Sequence, residues 1–134
     1  MAPHHPPTVW PDANFDFVFA ISVFSHLPED MQFEWLEELR RITRPGAFLV
    51  LTTHGEKHYG ELDADSVGIM RSKGFFYSDF GWNYGRSVSL PDFYQTAYHS
   101  HDYIRREWSR FFEVMDIRAL GIEQHQDTVL LRRT

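Results

Sequence analysis

Residues 15–24 read FDFVFAISVF, a stretch in which only Asp16 and Ser22 are polar. A continuous run of this length, dense in β-branched and aromatic side chains, is the pattern of a strand covered on both faces, as in a parallel sheet. The turn signal Pro-Asp-Ala-Asn at 11–14 sets its start. Ser25-His26-Leu27-Pro28-Glu29-Asp30 then reads as a helix start. Pro28 is pre-set for a first turn, and the two acids sit where the helix dipole favours negative charge. Trp35, Leu36, Leu39 and Ile42 recur at helical spacing, with Glu34, Glu37, Glu38, Arg40 and Arg41 on the other side. Pro45-Gly46 is read as the helix stop, and AFLVLTT at 47–53 as a second buried strand. Parallel strands require such a crossover, which is right-handed in nearly all proteins.

The pattern weakens over 54–98. Glycines at 55, 60, 68, 74, 81 and 85 interrupt it, and aromatic residues cluster in GFFYSDFGWNYG. A helix is predicted over 100–111, with Ser100 as N-cap and Tyr103, Ile104, Trp108 and Phe111 as its apolar face. Strands near 112–120 and 128–132 are close enough to form an antiparallel hairpin. The expected organisation is one domain: an extended lead-in (1–14), a strand–helix–strand unit (15–53), a substrate-side insertion (54–98), and a helix with a closing strand pair (99–134).

The string FDFVFAISVFSHLPEDMQFEWLEELRRITRPGAFLVLTTHG resembles the fourth strand, following helix and fifth strand of class I S-adenosylmethionine-dependent methyltransferases. The ending FFEVMDIRALGIEQHQDTVLLRR is similar to that family's closing antiparallel pair. The resemblance implies an α/β, Rossmann-like partial sheet: parallel strands plus a C-terminal antiparallel hairpin, with helices mainly on one face. It implies S-adenosyl-L-methionine as cofactor and methyl transfer to a small-molecule or glycan-like acceptor. The family's glycine loop after its first strand and its ribose-holding acid are not matched, so the chain reads as the C-terminal half of such an enzyme. The rival expectation is a non-catalytic remnant or partner-binding fragment.

Ligands of open α/β sheets bind beyond the carboxyl ends of the strands. By resemblance, Ser22, Val23, Phe24 and Ser25 border the methionine part of the cofactor. His26 and His54 are the catalytic candidates, since imidazole changes charge near neutral pH. Phe76, Tyr77, Trp82 and Tyr84 are placed as stacking surfaces for the acceptor. His54 and His58, four apart, and His99 and His101 form histidine pairs. Gly55 and Gly60 argue against a helix that would set the first pair on one face, and no acidic motif completes a tetrahedral set, so no metal is expected.

Composition narrows the partners. The formal charge is −6, and the basic group Arg105, Arg106 and Arg110 lies among acids, so no nucleic-acid footprint is expected. Cysteine is absent, which excludes disulfides and thiolate chemistry. No apolar run approaches the ~20 residues of a bilayer span, and the N-terminal residues lack a signal-peptide pattern. A cytoplasmic location and no membrane partner are expected. Family topology would seat a further strand beside residues 17–21. Its absence predicts an open edge, and with it a homodimer or a separate N-terminal partner.

Overall fold

The structure, a computed structural model, describes residues 4–78 and 93–134. Strand β1 (Phe15–Ala20) runs parallel to β2 (Thr43–Thr53), and helix α1 (Glu29–Ile42) makes the crossover between them. β6 (Gln126–Arg132) lies antiparallel to β2, and β5 (Glu113–Ile122) lies antiparallel to β6. The sheet order is β1-β2-β6-β5.

Pro28 precedes α1 in an extended conformation, and Glu29 and Asp30 occupy its first turn. At the other end the Thr43 hydroxyl donates to the Leu39 carbonyl at 2.7 Å. The helix therefore ends at Ile42, ahead of Pro45-Gly46. That dipeptide lies inside β2, because Thr43 already pairs with Phe15. Gly46 takes φ +89°, a left-handed value glycine adopts without steric penalty, and the register shifts between Phe15 and Phe17 absorb the irregularity.

One face of the sheet holds the core. Leu36, Leu39 and Ile42 of α1 meet Leu49 and Leu51 of β2, Val129 and Leu131 of β6, and Ile104, Trp108 and Phe112. Each such side chain contributes about 1.5–3 kcal/mol when fully buried. Ile104 belongs to α3 (His101–Glu107), whose N-cap Ser100 accepts from the Tyr103 amide as expected. α1 and α3 thus cover the same face. β1 departs from the expected burial. Val18 and Ala20 turn inward, but Phe17 and Phe19 are 55% and 65% exposed, and Phe48, paired with Phe17, is 41% exposed. The run is apolar throughout, yet the pleat sends alternate residues to a face that no described helix covers.

The segment 54–78 is better ordered than its sequence suggests. A 3₁₀ turn at Glu56–Glu61 leads to α2 (Ala64–Lys73). The Asp63 side chain caps α2 by accepting from the Ser66 amide at 2.8 Å, and Gly74 closes it at φ +84°. β3 (Phe75–Ser78) and β4 (Thr96–His99) form a separate antiparallel ladder. A bridge between His54 and Tyr98 ties that ladder to the end of β2. No helix among the described residues is long and apolar enough to cross a membrane.

Candidate functional site at the strand ends

β1 and β2 run side by side, so their carboxyl ends open on the same edge of the sheet. Ser22, two residues beyond β1, has φ +59°, a conformation that serine holds only when its surroundings over-determine it. They do so here. Its amide donates to Thr52 Oγ1 at 2.9 Å, its carbonyl accepts from the Tyr94 hydroxyl at 2.7 Å, and its Oγ accepts from Gln126 Nε2 at 2.9 Å. The bent backbone carries Val23 to the surface, 39% exposed, and turns Phe24–His26 inward as a buried 3₁₀ turn. The Phe24 ring packs edge-on against Trp108 at 5.5 Å, so its side chain belongs to the core and only its backbone faces the strand end. Ser25 is fully buried, and its Oγ makes no hydrogen bond.

His26 and His54 meet, with ring centroids 5.6 Å apart and planes nearly perpendicular. His26 stacks on Tyr94 at 4.5 Å, and its Nδ1 donates to the Gln95 carbonyl at 2.6 Å. That bond fixes the tautomer of the neutral ring and leaves Nε2 as the basic nitrogen. Burial lowers the His26 pKa, and the Gln95 carbonyl opposes the shift. His54 is lowered further, to about 4, first by burial and then by the charges of His58 and His26. Both rings are neutral at pH 7.

Gln32 supports this edge from below. Its Nε2 donates to the Phe24 and Leu27 carbonyls at 3.0 and 2.7 Å, so its Oε1 faces His99 Nε2 at 2.7 Å and must accept. His99 is therefore the Nε2–H tautomer. Wholly buried, it is pushed down to about 3 by desolvation and by His54. Gln32 was not singled out from the sequence. A polar residue one turn ahead of Leu36 on the buried stripe of α1 is the signal that would have found it.

Of the predicted acceptor-binding rings, Phe76 packs beside Tyr98 at 6.4 Å. The Tyr77 hydroxyl donates to the Phe93 carbonyl. Trp82 and Tyr84 lie outside the described residues. A cavity of about 740 Å³ sits away from the His26–His54 pair, lined by Glu56, Lys57, His99, His101 and Asp127 among others. There His101 Nε2 meets Asp127 Oδ2 at 2.7 Å, a contact that fastens α3 to the closing hairpin. Gly55 approaches the same carboxylate so closely that a Cβ would fall 1.9 Å from Asp127 Oδ2.

Residues 4–51 match the family model of a methyltransferase domain. No curated protein sequence matches the chain. Among solved structures, a SAM-dependent methyltransferase from Methanosarcina mazei superposes with a TM-score of 0.57 at 17% identity, over 95% of this chain and 63% of that one. The putative methyltransferase of Haloferax volcanii, solved with the Trm112 methyltransferase activator, gives 0.59 at 13% identity, over 95% and 57%. The geranyl diphosphate C-methyltransferase of Streptomyces coelicolor A3(2), solved with Mg²⁺, geranyl diphosphate and S-adenosyl-L-homocysteine, gives 0.55 at 11% identity, over 96% and 50%. The chain thus spans between half and just under two thirds of these proteins' length. The sequence match falls on β1, α1 and most of β2, the unit whose strand ends carry His26 and His54, and the α/β fold of the chain is similar to that of these S-adenosylmethionine-dependent methyltransferases.

Proposed function

We propose that this fold serves methyl transfer from S-adenosyl-L-methionine to a small-molecule or glycan-like acceptor, at the edge where β1 and β2 end. The observation that carries the reading is the convergence of His26 and His54, two neutral buried imidazoles, at the carboxyl ends of adjacent parallel strands. The residues present fit the methionine end of the cofactor. Ser25 Oγ is a buried hydroxyl without a partner, and the bend at Ser22 brings backbone and the Val23 side chain to the same edge. The family's glycine loop has no counterpart here, since no Gly-x-Gly occurs in the sequence. Bound S-adenosylmethionine supplies an electrophilic sulfonium methyl.

The chain's own task is mainly positioning, which alone accounts for much of the acceleration of a two-substrate step. Ser22, locked by three hydrogen bonds, gives a rigid floor. Tyr94 holds His26 by stacking, so the basic Nε2 keeps one direction from which to accept an acceptor hydroxyl proton. His54, lowered to about 4, stays neutral and acts as a hydrogen-bond acceptor rather than a strong base. Phe76 and Tyr77 offer flanking ring surface. Calorimetric titration of the metal-free chain with S-adenosyl-L-homocysteine tests the reading. Saturable one-to-one binding is expected, and no heat at millimolar ligand removes it.

The exposed face of β1 favours a second reading, association with another copy through this edge strand. Phe17 and Phe19 stand 6.2 Å apart on that face, and among the described residues β1 pairs only with β2. Such an edge is a template for strand pairing.

A further inference from the structure

The fold brings a third histidine to the pair that the sequence leaves incomplete. We propose that His54, His58 and His125 form a binding site for a divalent transition metal, best matched by Zn²⁺. His54 ends β2, His58 lies in the 3₁₀ turn after it, and His125 sits in the turn between β5 and β6. One nitrogen from each ring lies within 4.8 Å of the other two. Ring centroids are 4.6 Å (His54–His58), 4.7 Å (His58–His125) and 5.8 Å (His54–His125) apart. Three nitrogens about 2.0–2.1 Å from one tetrahedral ion stand about 3.4 Å from each other. A closure of at most about 1.4 Å therefore completes the set, and the exposed His125 turn is the part that can supply it.

Two further observations point to a cation. His54 Nδ1 is buried without a well-formed hydrogen bond, although the Ala97 backbone lies close enough to the ring to raise its pKa, and such a position is one that water or an ion ordinarily completes. His58 has an oxygen acceptor at each nitrogen, Glu61 Oε1 at 2.8 Å from Nδ1 and the His125 carbonyl at 2.5 Å from Nε2. A carboxylate on one imidazole nitrogen is the arrangement that orients and strengthens a metal-ligating histidine through the other. In the bound state Nε2 turns from the His125 carbonyl to the ion. Glu61 is held in turn by the Tyr98 hydroxyl at 3.1 Å.

An all-imidazole donor set selects Zn²⁺, Cu²⁺, Ni²⁺ or Co²⁺ over the oxygen-seeking Mg²⁺ and Ca²⁺. Three protein ligands leave a fourth position for water or for a ligand's oxygen or sulfur. The assignment rests on the histidine geometry and does not depend on methyl transfer.

The test is calorimetric titration of the dialysed chain with Zn²⁺, backed by the visible absorption of its Co²⁺ form. One equivalent with a tetrahedral Co²⁺ spectrum is expected. His125→Gln, at an exposed turn where folding is undisturbed, should abolish that equivalent, and Glu61→Gln should weaken it about 10–100-fold. The His4→Gln/His5→Gln double variant should leave it intact. The site is overturned by absence of binding, by binding unchanged in His125→Gln, or by binding lost in the double variant, which would mark an adventitious N-terminal site.

Discussion

Gln32 shows how a single amide organises this edge. Two backbone carbonyls and one imidazole N–H, all buried, have the same side chain as partner. Removing it strands three polar groups at once, and each buried unsatisfied group costs about 1–3 kcal/mol. Gln32→Leu keeps the volume and the helix propensity, so the loss is electrostatic. It should destabilise the fold by about 2–4 kcal/mol in urea denaturation, allowing for some rehydration of the Phe24–His26 turn. A change under about 0.5 kcal/mol, the level of an ordinary surface substitution, would show that water replaces the amide freely. The histidines differ in how far they were legible. His26 and His54 could be read because each follows an apolar run where a strand must end. His125 could not, since it is a lone histidine in a turn, 67 residues beyond the His58 whose ring it meets. Only the antiparallel return of β6 along β2 brings it there.

At the scale of elements, β1, α1 and β2 were legible because each carries one unbroken periodicity. Ser100, Asp102 and the apolar face of α3 marked the last helix in the same way. α2 was missed because its apolar residues Val67, Ile69 and Met70 do not form one stripe. It is defined instead by its ends, the Asp63 cap and the left-handed Gly74. β3 and β4 were missed because their pairing joins residues from Phe75 to His99 across a segment without short-range signals. For β1 the sequence pattern was right about the strand and wrong about its cover. An apolar run records which faces avoid water, not which of them this chain covers. That uncovered face leads to a prediction. Light scattering should show a concentration-dependent dimer at micromolar protein. The double variant Phe17→Ser/Phe19→Lys, changing only outward positions, should shift it to monomer with the fold retained. A wild-type monomer throughout that range would remove the association.

Across the whole molecule, two groups of buried ionisable side chains tie folding to pH in opposite senses of charge. His99 is held neutral down to about 3, against 6.5 for a free imidazole, and burial lowers His26 and His54 as well. As pH falls below 6.5 the unfolded chain takes up these protons first, so stability declines by about 1.4 kcal/mol per pH unit for each histidine kept neutral. Glu38, 4% exposed, is the reverse case. Arg41, bonded at 2.7 and 2.8 Å, is the main cause of a carboxyl pKa near 2, and the Thr8 amide and hydroxyl add to it at 2.8 and 2.6 Å. Its contribution is complete above the unfolded value of 4.5 and is lost as pH falls from there toward 2. The two effects operate in sequence, the histidines from 6.5 downward and Glu38 only below 4.5. Urea midpoints of the metal-free chain should therefore fall between about pH 6.5 and 4.5 and fall more steeply below that. In Glu38→Gln the upper decline should persist while the added steepness disappears, because the histidines are untouched. A wild-type midpoint that stays flat from pH 7 to about 5 would mean that the strand-end histidines take up protons within the folded protein, and the neutral imidazoles on which the site depends would be lost with them.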